Sequence, residues 1–318
     1  MNEKRTGSGN PYPNGLRCNA LSSWSLNEFG QRLYKISLNG GMTCPNRDGR
    51  LDTRGCIFCS AGGSGEFAEA PDLSITQQIE TGISRLAHKK ANAYIAYFQA
   101  YTNTYAPVSR LRKCFMEAIS HPQVAVLSIA TRPDCLPAEV LDLLEELNHI
   151  KPIWVELGLQ TIHEDTARYI RRGYSLPVFD QAVLALHKRN LKVIVHVIIG
   201  LPGEDRTALL ETICHINNLP ADGIKLQLLH ILKGTDLCNE FQSGRISVLS
   251  KEEYIDLLIA ALEILRPDIV IHRLTGDGPA DLLVAPLWSL KKRSVLNRLQ
   301  QKMSLQDTWQ GSKYGAIL

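Results

Sequence analysis

The sequence predicts an α/β protein: a partial TIM-type (β/α)6 barrel with a seventh strand and a C-terminal extension. Three observations predict it. Short apolar strand segments alternate with longer amphipathic segments along most of the chain, the order that builds a parallel sheet with right-handed crossovers. Strand after strand carries one apolar row and one partly polar row, whereas a doubly wound sheet covered on both faces reads as apolar throughout. A cluster of cysteines follows the first strand, at the end where α/β barrels place their chemistry.

The strand segments are Leu33–Leu38, Ala93–Gln99, Val124–Ala130, Ile153–Leu159, Lys192–Ile199, Gly223–Ile231 and Asp268–His272. Helices are expected over Ile75–Lys90, Val108–Ser120, Pro137–Ile150, Leu176–Asn190, Arg206–Leu219 and Lys251–Leu265, with Ser74 and Ser250 as N-caps. Strand parity separates two faces, because side chains alternate along a strand. In IWVELGLQ, Ile153, Val155, Leu157 and Leu159 oppose Trp154, Glu156, Gly158 and Gln160. In VIVHVIIG, His196 falls on the mixed row with Ile194, Ile198 and Gly200; in the first two strands that row holds Lys35 and Ser37, then Tyr97, Gln99 and Tyr101. A recurrent mixed row predicts a barrel interior that holds a ligand.

Composition narrows the function classes. The chain has 318 residues, 44% hydrophobic and 21% charged, which excludes disordered, collagenous and coiled-coil chains. No apolar run is long enough to span a membrane, and the first residues lack the apolar core of a secretion signal. A cytoplasmic protein with reduced thiols is expected. Residues 1–30 read as a partly disordered leader, 31–285 as the barrel, and 286–318 as a basic extension. The extension carries Lys291, Lys292, Arg293, Arg298, Lys302 and Lys313 against Asp307 alone, so it holds +5 of a net +3 and the body holds −2. Such a segment is either a solvated helix face or a phosphate-binding tail.

The eight cysteines divide unevenly. Cys44, Cys56 and Cys59 lie in GGMTCPNRDGRLDTRGCIFCS, with eleven residues and then two between them. Three thiolates can hold three irons of a cubane cluster and leave the fourth iron open. A zinc knuckle also uses C-x-x-C but takes a further Cys or His close by, and the next such residue is His88. Cys18, Cys114, Cys214 and Cys238 have no metal-like spacing and read as small buried hydrophobes. Cys135, in TRPDC, falls at the mouth of the third strand.

With CPNRDG…GCIFC on the first βα loop, and with YFQAYTNTYAP, ATRPDCLP, VELGLQT, IIGLPGE and DGIKLQLLHILKGT following in order, the chain resembles the radical S-adenosylmethionine (SAM) superfamily. Within it the chain is similar to the YhcC-like branch, related to the elongator catalytic subunit and oxygen-independent coproporphyrinogen oxidase. The eleven-residue gap departs from the C-x-x-x-C-x-x-C of most members. The resemblance implies a 4Fe-4S cluster on Cys44, Cys56 and Cys59, with SAM chelating the open iron. It implies reductive cleavage of SAM to a 5′-deoxyadenosyl radical that takes a hydrogen atom from substrate.

Parity and resemblance together place SAM. Gln99 and Tyr101 end strand two, and Thr131 and Arg132 end strand three. Glu156 and Gln160 stand at the ribose-contacting position of strand four. Arg168 and Arg172, read as i and i+4 of one helix, are expected to hold the SAM carboxylate. Gly200 opens the turn along adenine, and His196 lies deeper on the same strand. Lys225, Gln227, His230 and His272 are candidates to meet substrate. The resemblance also implies an electron donor such as flavodoxin or ferredoxin. Relatives act on tRNA bases, porphyrins and proteins; the basic extension favours RNA, so tRNA modification is the expected reaction, with a small metabolite as the other candidate. A non-catalytic Fe–S or zinc protein that binds RNA or senses redox state is the alternative reading. A zinc hydrolase would need a His/Asp/Glu ligand set that the sequence does not assemble.

Overall fold

The computed structural model describes residues 9–63 and 65–316. In chain order its elements begin with α1 (Leu21–Phe29), β1 (Tyr34–Leu38), α2 (Ile75–Arg85), β2 (Tyr94–Phe98), α3 (Val108–Ser120), β3 (Val124–Thr131), α4 (Ala138–Asn148) and β4 (Ile153–Gln160). Next come α5 (Glu164–Tyr169), α6 (Leu176–Lys188), β5 (Lys192–Ile199), α7 (Arg206–Asn217), β6 (Gly223–Leu228), β7 (Ile231–Leu232) and α8 (Asp236–Gln242). The chain ends with α9 (Lys251–Ile264), β8 (Val270–Arg273), β9 (Leu283–Ala285) and α10 (Lys292–Leu305). Seven parallel strands form one sheet in the order β1-β2-β3-β4-β5-β6-β8, and β7 pairs β9 antiparallel beside it. This is the predicted partial barrel with its seventh strand.

The alternating rows explain why the sheet curls. Outward residues such as Ile36, Leu38, Val155, Leu157, Val193 and Val195 join the helices in the main core. Inward residues form a smaller apolar plug of Leu33, Ile95, Val126, Trp154 and Ile194 at the base, and above it the polar inward residues face a cavity. The helices start where their caps dictate: Ser74 and Ser250 each accept from the third helical backbone N–H, while Gln77 and Glu253 reciprocate, satisfying donors that a helix start leaves open.

Both ends of the described chain pack against the barrel. Residues 1–8 of the expected leader lie outside the described residues, but the rest of it is built into the fold. Helix α1 closes the base, its Trp24 ring edge-on to Trp154 with centroids 5.6 Å apart. Asn19 O accepts from Ile271 N at 2.8 Å, and buried Gln310 accepts from Asn19 N at 2.9 Å. Packing of half-buried Trp24 against the base, not helical periodicity, holds α1, and LSSWSLNEF offers little pattern to read. In the basic extension, four of the six cations have carboxylate partners: Lys292 with Asp277 at 2.7 Å, Arg298 with Glu252 at 3.0 Å, Lys302 with Asp256 at 2.6 Å and Lys313 with Glu263 at 2.6 Å. Much of the +5 is neutralised within the fold, leaving Lys291 and Arg293 outside these pairs.

Candidate active site

The inward residues at the C-terminal ends of the strands, together with the cysteine loop, enclose a cavity of about 270 Å³. Cys44, Cys56 and Cys59 all line it, as do Gln99, Tyr101, Thr131, Arg132, Glu156, Gln160, Arg172 and His196. A second cavity, about 490 Å³, opens at the opposite end, beside Trp24, Trp154 and His272. The first is the candidate site, because the cysteines are there. No helix among the described residues is long and apolar enough to cross a membrane.

The eleven residues between Cys44 and Cys56 fold back on themselves. Arg47 N donates to Cys44 O at 2.8 Å, Leu51 N to Pro45 O at 2.8 Å and Gly55 N to Asn46 O at 2.7 Å. Gly55 has φ +76 and lies against the Arg47 guanidinium, where a Cβ would come within 2.8 Å of Nε, so a side chain there is both strained and crowded. Arg47 in turn donates to the carbonyls of Cys59 (3.0 Å) and Ser60 (2.6 Å). The long gap is thus a compact loop that returns Cys56 and Cys59 to the cavity that Cys44 lines. A hydrogen bond from Cys59, opposed by burial and aided by Arg132, Asn46 and Arg171, draws the Cys56 thiol down to about 7. The same bond, with burial, pushes Cys59 up. Among the described residues no three His, Cys, Asp or Glu side chains are gathered closely enough for a single ion. Cys135 is buried outside the cavity lining, where burial first and then Asp134 push its thiol up to about 12.

The floor of the cavity is a buried charged layer. Glu156 Oε1 accepts from Lys35 Nζ and Ser128 Oγ, each at 2.7 Å. Its Oε2 accepts from His196 Nε2 at 2.7 Å and contacts Lys225 Nζ. Lys225 also donates to Tyr97 Oη at 3.0 Å and lies over that ring. Burial pushes the Glu156 carboxyl up, but Lys225, Lys35 and His196 outweigh it and hold it well below the usual carboxylate range. Burial and Lys225 hold His196 at about 4, so it is neutral near pH 7 and its Nε2–H donates. Four partners fill the roughly four acceptor sites of a carboxylate. Glu156 is thus the anionic centre of an ion-pair layer on the cavity lining, and a ribose hydroxyl bound there would displace one of its donors.

The two arginines expected to act together are separated. Helix α5 ends at Tyr169, and Arg171, at φ +57, turns the chain back. Arg168 is left on the outside, 75% exposed and paired with Asp165, and is absent from the cavity lining. Arg172 lines the cavity but is occupied by protein acceptors: Leu159 O (3.2 Å), Thr161 O (2.6 Å), Tyr174 O (2.9 Å) and Glu164 Oε1 (3.0 Å). It anchors the turn after β4 rather than presenting a free guanidinium. Gly200, at φ +88, also lies off the cavity wall, and a Cβ there would come within 2.9 Å of Leu249.

Other placements leave open polar groups. Gln99 Nε2 and Gln160 Oε1 are buried without protein partners, and both residues line the cavity. Arg132 pairs with Asp134 at 2.8 Å, donates to Arg172 O at 2.9 Å and lies over Tyr174. Tyr101, at φ +58, donates to Ala61 O at 2.6 Å and packs on the Gly63 backbone. Lys225, Gln227 and His230 line the far wall, whereas His272 faces the opposite cavity. Sequence reasoning passed over Asn46, Arg47, Tyr174, Arg273 and Asp277. Asn46 and Arg47 were legible only as polar residues inside CPNRDG; Arg273 ends β8, and Tyr174 and Asp277 come from loops, so the approach of all three to the site depends on the closed sheet.

The parallel half-barrel and its cysteine-walled cavity define the class. Residues 52–214 match the model of the Radical SAM superfamily and residues 221–304 match the Radical SAM C-terminal domain, so the chain belongs to the radical SAM superfamily. The first match contains Cys56 and Cys59, and Cys44 lies just before it. The chain is 43% identical to the uncharacterized protein YtqA of Bacillus subtilis, over 95% of this chain and 94% of that one. It is 36% identical to the protein YhcC of Escherichia coli over 90% and 92%. A tRNA uridine(34) acetyltransferase of Methanocaldococcus jannaschii is 28% identical over 58% of this chain and 34% of its own length. Among solved structures, the Elp3 of Methanocaldococcus infernus superposes with a TM-score of 0.67 at 17% identity, covering 87% of this chain and 64% of that one.

Proposed function

We propose that this chain is a radical SAM enzyme whose 4Fe-4S cluster is held by Cys44, Cys56 and Cys59 and whose substrate is a tRNA. The observation that carries the reading is that those three cysteines line one cavity together with two buried, unpartnered amide atoms, Gln99 Nε2 and Gln160 Oε1. Three thiolates suit a cluster with one open iron, and a free donor and a free acceptor suit a polar ligand beside it. When bound, the cluster and SAM supply the one-electron chemistry that generates a 5′-deoxyadenosyl radical; the protein supplies the setting. Gln99, Gln160 and Thr131 offer hydrogen bonds to SAM. Arg132 and Tyr174 brace the wall, and Phe58, Ile198 and Leu229 line it with apolar surface that excludes water. The tRNA reading is supported by the related tRNA uridine(34) acetyltransferases and by Lys291 and Arg293, the two cations of the basic extension outside its ion pairs. A flavodoxin or ferredoxin is the proposed electron donor.

The test is anaerobic. Reconstituted protein is expected to hold iron and sulfide, and with SAM and dithionite to release 5′-deoxyadenosine, while Cys56→Ala releases none. Zinc bound in place of iron overturns the cluster reading. Of tRNA, protein and small-molecule fractions added separately, tRNA is expected to accelerate deoxyadenosine formation; acceleration by another fraction alone overturns the tRNA reading.

A further inference from the structure

Asn46 is two residues after the first cysteine and is 2% exposed. Its side-chain amide reaches across the loop to the turn that follows α5. Nδ2 donates to Arg171 O at 2.7 Å, lies 3.4 Å from Arg172 O, and is 3.5 Å from Cys56 Sγ. The orientation of the amide is determined by these neighbours: turned over, Oδ1 would face two carbonyl oxygens. Oδ1 instead sits against Gly173, where a Cβ would come within 2.8 Å and where φ is +82. One hydrogen of Nδ2 is engaged by Arg171 O, and the other is shared between Arg172 O and the Cys56 sulfur, at similar distances.

The Cys56 thiol is itself aimed at Arg171 O, at 3.5 Å. A cysteine that ligates metal has lost that proton, so its sulfur then only accepts, and Asn46 Nδ2 is the adjacent donor. Among the described residues, neither the Cys44 nor the Cys59 sulfur has a side-chain N–H donor of this kind. Hydrogen bonds to ligand sulfur tune a cluster's potential, and the groups behind the ligands orient them. A donor to sulfur draws electron density away and so favours the reduced form, in which the extra negative charge resides on the cluster.

We propose that Asn46 is a positioning residue that donates to the Cys56 sulfur and sets the cluster's reduction potential higher than the other two cysteines alone would allow. The inference rests on the three-cysteine cluster proposed above. Asn46→Leu keeps approximate size and removes the donor; Asn46→Asp keeps shape and puts a carboxylate oxygen toward the sulfur. In anaerobically reconstituted full-length protein, both variants are expected to need a more negative potential for half-reduction in EPR-monitored titrations. At a fixed potential near the midpoint, the ratio of reduced to oxidised cluster is expected to fall about tenfold, about 59 mV for a one-electron couple. A variant that holds its cluster at the wild-type potential overturns the inference.

If neither variant holds a cluster, wild-type protein decides. Asparagine carrying 15N only in its side-chain amide is incorporated, and pulsed EPR of the reduced cluster is expected to show coupling to that nitrogen. No coupling overturns the role of Asn46. A wild-type protein that assembles no iron–sulfur cluster fails one step earlier, and takes the function reading down together with this inference.

Discussion

Glu156 Oε2 and His196 Nε2, on the adjacent strands β4 and β5, are 2.7 Å apart beneath the cavity, and the carboxylate simultaneously engages Lys35 and Lys225 from opposite parts of the sheet. One anion therefore holds together strands β1, β4, β5 and β6. Removing one partner of a buried charge cluster leaves the others uncompensated. Glu156→Gln is expected to cost roughly 3–5 kcal/mol of stability, read as a lower denaturation midpoint of the reconstituted protein. The cysteine loop is built by its own hydrogen bonds, so cluster absorbance per folded molecule is expected to stay the same. An unchanged midpoint contradicts the ion-pair role.

Acid is expected to destabilise the fold before the carboxylates titrate. Burial first, then Lys225, holds His196 at about 4 against an ordinary 6.5. Burial likewise holds His230 at about 4, with Asp277 opposing. A histidine depressed in the fold binds its proton more readily once unfolded, so stability rises with pH between the folded and unfolded values. Stability is thus full above about pH 6.5 and falls toward pH 4, by about 3 kcal/mol for His196 alone. Denaturation midpoints measured across that window check it. His196→Asn is expected to flatten the slope, and a profile equally steep in wild type and variant contradicts the assignment.

Arg168 and Arg172 are expected to behave oppositely. Arg168→Ala removes an exposed side chain and is expected to change stability by no more than about 0.5 kcal/mol, with SAM binding unaffected in equilibrium dialysis. Arg172→Ala strips partners from buried carbonyls and is expected to cost at least about 2 kcal/mol. A loss of SAM affinity in Arg168→Ala at unchanged stability would restore its carboxylate-binding role.

The basic extension gives a prediction about nucleic acid. Arg298 and Lys302 are engaged by Glu252 and Asp256 on α9, so Arg298→Ala and Lys302→Ala are expected to leave affinity for bulk tRNA within about twofold. Lys291→Glu with Arg293→Glu is expected to weaken it and to reduce its salt dependence. Filter binding at two ionic strengths separates these outcomes; the reverse ranking would move the tRNA surface elsewhere.

The sequence by itself determined the strands, most helices and the cysteine loop. Each is a local pattern: period-two alternation in IWVELGLQ, the Ser74 and Ser250 caps, the cysteine spacing. It also determined which face of each strand is inward, because parity needs no knowledge of neighbours. Only tertiary structure decided what those inward residues do. Glu156 meets Lys35, 121 residues earlier, and Asn46 meets Arg171, 125 residues later. Such contacts arise when the sheet curls and brings its early and late strands around one interior. The same holds for Arg168 and Arg172: their spacing matched one helical face, but the chain leaves the helix between them and sends one outward and one in. Buried polar groups must find partners wherever closure brings them, and that requirement, not local spacing, distributed the charges of this site.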